Sequence, residues 1–292
     1  MFTGTYTAIV TPFKNGALDA AAFERLVKLQ VKGGVDGIVP VGTTGESPTV
    51  NCEEHIHIIA LAVKFAAGKI KVIAGTGANA TSEAIDLTRA AEMAGADGSL
   101  QVAPYYNKPS QEGLYQHFRA IARATKLPIV LYSIPGRCGV EIGVETVQRL
   151  AVECKNIIGI KEAGGSCDRV SQLRAALGPK FTILSGDDSL TLPFMAVGAQ
   201  GVISVASNVI PGVVSQMVGA FAGGDAKNAG RLHAKFYPIF KDLFLETNPV
   251  PVKAALAMMG VIAEEYRLPL VKMSDANRAK LKVTLKACGI LK

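Results

Sequence analysis

The sequence contains no Cys-x-x-Cys pair and no even set of cysteines. Its five, Cys52, Cys138, Cys154, Cys167 and Cys288, are widely spaced, which argues for free thiols in a reducing compartment and against a disulfide framework or a zinc site. Histidine is scarce as well, with four in 292 residues. His55 and His57 stand two apart on a predicted helix, so they do not share a face, and no metal site is expected. The opening residues, MFTGTYTAIVTPF, lack a basic n-region and a long apolar h-region. No secretory signal is therefore expected, and the expected location is cytoplasmic. One stretch, Ser189 to Gly224, has no charge at all. Pro193, Pro211, Asn208 and two glutamines interrupt it, so it reads as helix, strand, turn and helix in a buried core rather than as a membrane span.

A net charge of +7 and a pI of about 9.1 invite a nucleic-acid reading. The charge is dispersed, however, except near the end, where Arg267, Lys272, Arg278, Lys280, Lys282, Lys286 and Lys292 face only Asp275. No aromatic residue stands among them to stack bases, and the spacing suits the solvated face of a terminal helix. Neither nucleic acid nor membrane is an expected partner.

What the sequence does have is a globular composition, 49% hydrophobic and 19% charged with 30 Gly and 14 Pro, and length for one large domain or two modest ones. Short β-branched runs ending in Gly, Pro or polar residues fall at Tyr6–Thr11, Gly37–Val41, Lys71–Thr76, Ser99–Val102, Pro128–Tyr132, Ile157–Lys161, Phe181–Ser185 and Gly201–Val205. Segments of helical spacing with cap signals separate most of them. NCEEHIHIIALAVKFAAG, for example, opens with Asn51 and Glu54 in capping-box relation and closes at Gly68. Near-continuous apolar strands alternating with amphipathic helices predict a parallel sheet covered by helices. A doubly wound open sheet is the alternative, but eight regular units favour a closed α/β fold, the (β/α)₈ TIM barrel. The expected division is a barrel over 1–224 that carries the active site and a small helical region over 225–292.

In such a barrel the functional groups stand at the C-terminal ends of the strands. GTTGES (42–47) follows the second predicted strand, GTGANAT (75–81) the third and PYYNKP (104–109) the fourth. Tyr132 ends the fifth with SIPGR behind it, Lys161-Glu162 ends the sixth, and the seventh runs into GDD (186–188). A lysine at the end of a buried strand is costly to desolvate as an ammonium, so its pKa should fall until it is a neutral amine able to attack a carbonyl. The bland alternative is a snorkelling lysine paired with Glu162. Tyr132 can relay protons, the glycine-rich GTTGES turn can cradle a carboxylate, and Arg137 can clamp a second one bidentately. GTGANA fits a dinucleotide fingerprint, but it lies on the third unit, where a tight βα turn explains its glycines. The paired aspartates of GDD read as a cap on the next helix rather than a magnesium site.

With these residues in view, the chain resembles the dihydrodipicolinate synthase family of pyruvate-dependent class I aldolases. The likeness runs from TAIVTPF (7–13) almost to the C-terminus through GTTGES, IAGTGANAT, PYYNKPSQEGLYQHF, YSIPGR, IIGIKEA, LSGDD, GVISV and TNPVPVK (247–253). The resemblance implies that Lys161 forms an imine with pyruvate, and that the derived enamine attacks aspartate-β-semialdehyde in lysine and diaminopimelate synthesis. It implies that Tyr132 shuttles protons with Thr43 and with Tyr106, the latter reaching in from a neighbouring subunit. Thr43 and Thr44 hold the pyruvate carboxylate near Gly186 and Ile203, and Arg137 binds the carboxylate of the semialdehyde. No organic cofactor is implied, and the expected assembly is a homotetramer of two tight dimers. Many members are inhibited by lysine, and the matching positions are Ser47, Pro48, Cys52, His55, Asn79, Glu83 and Tyr105, with Cys52 where histidine is common. Ser133 stands where the family usually has asparagine. N-acetylneuraminate lyase or a keto-sugar-acid aldolase is the nearest rival, and a non-catalytic sensor on the same fold is another. Arg137 and the double threonine favour a small acidic aldehyde over a sugar, and the complete set Lys161, Tyr132, Thr43 and Tyr106 favours an enzyme over a sensor.

Overall fold

The computed structural model describes residues 2–292. Eight parallel strands close on themselves: β1 (Gly4–Ala8), β2 (Gly37–Val39), β3 (Lys71–Gly75), β4 (Gly98–Val102), β5 (Ile129–Ser133), β6 (Ile157–Glu162), β7 (Thr182–Ser185) and β8 (Gly201–Ser204). Each pairs with its sequence neighbours, and β1 closes the ring through Gly4↔Gly201 on one side and Tyr6↔Gly37 on the other. This is the predicted TIM barrel. The helices between strands are α1 (Ala20–Lys32), α2 (Cys52–Ala66), α3 (Thr81–Met93), α4 (Gln111–Arg123), α5 (Val144–Glu153), α6 (Cys167–Leu177) and α7 (Thr191–Ala196), with α8 (Pro211–Ala222) after the last strand. The capping signals act as read at α2 and α4, whereas α3 and α5 begin after Ala80 and Gly143 with no side-chain cap. Asn51 accepts from the Glu54 amide while Glu54 reaches back to the Asn51 amide, and α2 ends at Ala67 and Gly68 in left-handed conformations. The uncharged stretch is helix, strand, turn and helix, and among the described residues no helix is long and apolar enough to cross a membrane.

Two hydrophobic layers hold the barrel. Phe2, Tyr6, Val39, Ile73, Leu100, Val130 and Leu184 fill its interior, while the opposite strand faces pack against the helices, as alternating side chains on closed strands require. Beyond α8 the chain adds α9 (Ala226–Asp242), α10 (Val250–Met258) and α11 (Asp275–Ala287).

Some features depart from the sequence reading. The first strand leaves the barrel at Ala8, where Asn208 takes over, accepting from the Val10 amide and donating to the Ala8 carbonyl. A small hairpin, Phe13–Lys14 with Ala17–Leu18, follows. Its turn is Asn15-Gly16, both at positive φ, a standard hairpin signal. The C-terminal basic residues are not all solvated. Arg267 pairs with Glu54 and lies 4.2 Å from the Phe13 ring centroid, while Arg278 pairs with Glu264. The five cysteines are all free.

Candidate active site

The stretch Ile157–Glu162 shows how this fold places a lysine. Ile157 and Ile160 belong to the layer between strands and helices. With strict alternation Lys161, four residues after Ile157, would face outward too. The register shifts by one where Ile129 pairs with Ile157 but Val130 pairs with Gly159. Ile158 faces the interior by simple alternation, and this bulge then turns Lys161 to the same side, a common use of bulges beside active sites. Gly159 permits it, because a Cβ there would lie 2.8 Å from both the Cβ and the carbonyl oxygen of Thr182. The isolated glycine inside a strand was a legible bulge signal.

Lys161 is 6% exposed, and among the described residues no carboxylate pairs with it. Glu162, the partner of the bland reading, points the other way and is held by Arg169 at 2.8 Å and by the Gly164 amide. Burial pulls the Lys161 pKa down to about 7, with Asp188 opposing and Arg137 reinforcing the shift. Gly186 leaves room for the chain, since a Cβ there would come within 3.1 Å of Lys161 Cε. Tyr132 is its register partner on β5, and the Lys161 Nζ sits 4.0 Å from the Tyr132 ring centroid. Burial raises the Tyr132 hydroxyl to about 12, opposed by Arg137 and by a hydrogen bond with Thr43.

A cavity of about 50 Å³ opens over these groups, lined by Thr43, Thr44, Tyr132, Arg137, Lys161 and Gly186 together with Phe244 and Asn248, an apolar setting with a few convergent polar groups of the kind that orients a small molecule. The turn carrying Thr43 and Thr44 is bracketed by Val41 and Glu46 at φ 49° and 57°, a left-handed conformation that costs non-glycine residues about 1–3 kcal/mol each. Ile203 is buried in the barrel interior, in the same cluster as Tyr132. Arg137 stands on a single helical turn, Pro135–Cys138, and donates to the Asn248 carbonyl at 3.3 Å. The structure thus brings together Lys161, Tyr132, Thr43, Thr44, Arg137 and Gly186. Tyr106 stays outside: it is 91% exposed at φ 72°.

The second predicted set divides. Ser47, Pro48 and Tyr105 line an adjoining cavity at the barrel mouth that also reaches Thr43 and Arg137. Cys52 and Glu83 line a separate groove between α2 and α3. Asn79 donates to the Tyr105 carbonyl, and buried His55 donates from Nε2 to the Gly75 carbonyl at 2.7 Å. Ser133 is buried, and its hydroxyl accepts from the Ile142 amide.

Two residues take roles that the sequence did not indicate. Asn248 donates to the Thr44 hydroxyl at 2.9 Å while its carbonyl receives Arg137. Asp188 corrects the reading of GDD as a cap on the next helix. It is buried and accepts instead from the Ser204 hydroxyl and the Val205 and Ala206 amides, capping the turn after β8. Burial raises its carboxyl to about 6.

Both the sequence and the barrel that carries this lysine and tyrosine have known relatives. A 4-hydroxy-tetrahydrodipicolinate synthase of Persephonella marina is 53% identical over 293 residues, covering 100% of both chains. The structure of that enzyme from Methylacidiphilum fumariolicum SolV superposes with TM-score 0.98 at 57% identity, covering 99% of this chain and 96% of that one. A dihydrodipicolinate synthase from Cyanidioschyzon merolae with lysine bound gives TM-score 0.97 at 42% identity, with 99% of each chain covered. The chloride-inhibited enzyme from Acinetobacter baumannii, complexed with pyruvate, gives 0.97 at 45%, with 100% of each covered. The model of the dihydrodipicolinate synthetase family matches residues 1–288. With its barrel and nearly its whole length matched, the chain belongs to the dihydrodipicolinate synthetase family.

Proposed function

We propose that this protein is a 4-hydroxy-tetrahydrodipicolinate synthase that condenses pyruvate with L-aspartate-β-semialdehyde through an imine on Lys161. The observation that carries this reading is a lysine held near neutrality by burial, with no carboxylate partner among the described residues and its Nζ over the Tyr132 ring.

The neutral amine attacks the ketone carbon of pyruvate, and loss of water leaves the imine. The protonated imine nitrogen draws electrons from the adjacent methyl group, which loses a proton to give the enamine. That carbon then attacks the aldehyde carbon of the semialdehyde, whose oxygen takes up a proton. Finally the amino group of the second substrate attacks the imine carbon and expels Lys161 as the free amine, closing the ring. Tyr132, with Thr43 beside its hydroxyl, carries the protons. Thr43 and Thr44 receive the pyruvate carboxylate and Arg137 that of the semialdehyde, with backbone at Gly186 and Ile203 completing the pocket. No organic cofactor takes part.

In this reading Tyr106 completes the proton relay of a neighbouring copy. An exposed tyrosine held in a left-handed conformation supports such a role. The assembly is then a dimer, with two dimers forming a tetramer. Ser47, Pro48, Asn79 and Tyr105, with Cys52, His55 and Glu83 behind them, form the site for feedback by lysine, the ligand in the C. merolae structure.

The test is consumption of aspartate-β-semialdehyde by the purified protein with and without pyruvate, with N-acetylmannosamine as rival acceptor. Loss of the semialdehyde only with pyruvate supports the reading. Consumption of the sugar instead would retain the imine and transfer the chain to the sugar-acid lyases.

A further inference from the structure

Glu46 and Lys253 are both buried with no side-chain exposure, and the Lys253 ammonium binds Glu46 Oε1 directly. The second carboxylate oxygen accepts from the Arg267 amide at 3.3 Å. The ammonium lies 4.5 Å from the Phe13 ring centroid and 5.3 Å from that of Tyr266. A buried ion pair is a weak source of stability, since an apolar pair of similar volume commonly does as well. What it supplies is a directional contact between two chosen points of the chain.

Those points matter because of what adjoins them. Glu46 ends the turn that carries Thr43 and Thr44, and its amide donates to the Thr43 carbonyl at 3.1 Å. Its own backbone is left-handed at φ 57°, a conformation that persists only where surrounding contacts dictate it. Lys253 lies on α10, which begins just after Asn248, the residue that donates to the Thr44 hydroxyl and receives Arg137. One short C-terminal segment thus grips both elements read here as holders of substrate carboxylates.

We propose that Glu46 and Lys253 are positioning residues which, through this segment, fix the Thr43–Thr44 turn in the shape that accepts the pyruvate carboxylate. The proposal rests on the function proposed above. Loss of the pair lets the turn relax toward ordinary backbone angles, so pyruvate binding weakens while the chemistry at Lys161 continues once pyruvate is bound.

The experiment uses the full-length protein and measures reductive trapping of pyruvate by borohydride across a pyruvate titration, alongside steady-state kinetics and thermal unfolding. Lys253→Met and Glu46→Gln should raise the half-saturating pyruvate concentration about tenfold or more, with kcat within about threefold of the unsubstituted protein. Lys253→Arg, which keeps the charge, should recover most of the loss. Variants that melt earlier yet saturate at the original pyruvate concentration would show a purely structural pair and overturn the proposal. Should Lys253→Met fail to fold, the nearly isosteric Glu46→Gln gives the same readout. Failure of the functional reading looks different: without imine chemistry the unsubstituted protein would trap no pyruvate at Lys161, and with a sugar acceptor in place of the semialdehyde it would still trap pyruvate while sparing the semialdehyde.

Discussion

The Lys161 ammonium nitrogen sits 4.0 Å from the centre of the Tyr132 ring, and the two residues are register partners on neighbouring strands. Neither position depends on a flexible loop. The ring covers the amine and helps exclude water, and its hydroxyl end stands near Thr43. Burial in that position makes the lysine a nucleophile rather than half of a salt bridge.

The first prediction concerns pH. The reactive form of Lys161 is the neutral amine, and its pKa is lowered to about 7. The rate of imine formation should therefore rise with pH through about 7 and level off above it. Stability should follow the same group. Between about 7 and the ordinary lysine value the unfolded chain binds the proton that the folded chain has lost, so this contribution makes stability increase with pH across that window. Lys161→Met should accordingly raise the melting temperature at pH 7, which differential scanning calorimetry measures directly.

Tyr132→Phe keeps the ring over Lys161 and removes only the hydroxyl. Turnover should fall about 10²–10⁴-fold, the usual loss when a proton-transfer group is deleted. Thermal unfolding should change little. A variant with full turnover would remove Tyr132 from the relay.

Gly159→Ala places a methyl against Thr182 at 2.8 Å and disturbs the bulge that aims Lys161 inward. Borohydride trapping should slow by about tenfold or more, although no atom near the cavity has been altered. Retained trapping at the normal rate would show that the bulge tolerates a side chain.

Arg137→Ala should weaken use of the semialdehyde more than use of pyruvate. Removing one charged hydrogen-bonding partner costs about 1.5–3 kcal/mol, so kcat/KM for the semialdehyde should drop about 10- to 100-fold. The pyruvate concentration that half-saturates trapping should move far less. Separate substrate titrations at saturating co-substrate distinguish the two.

The barrel was legible because its signals are local. Most of the eight strands are short β-branched runs, and caps such as Asn51 with Glu54 need only four consecutive residues. Lys161 and Tyr132 were legible because each ends such a run. Asn248, Lys253 and Asp188 were not, because each acts across the chain. Asn248 meets Thr44 at a separation of 204 residues and Lys253 meets Glu46 at 207, and no periodicity connects positions so far apart. Asp188 looked like a cap for the helix after it, but the open amides it satisfies belong to the turn after β8. Tyr106 is a different case, since its motif was plain and its proposed site lies outside its own chain.

The most direct measurement is to incubate the protein with pyruvate, reduce with borohydride and map the modified peptide by mass spectrometry. The account predicts one reduced pyruvate adduct per chain, on Lys161, absent from Lys161→Ala even though that variant still folds. An adduct on another lysine, or an unmodified chain that still consumes semialdehyde with pyruvate, would contradict the imine mechanism at its centre.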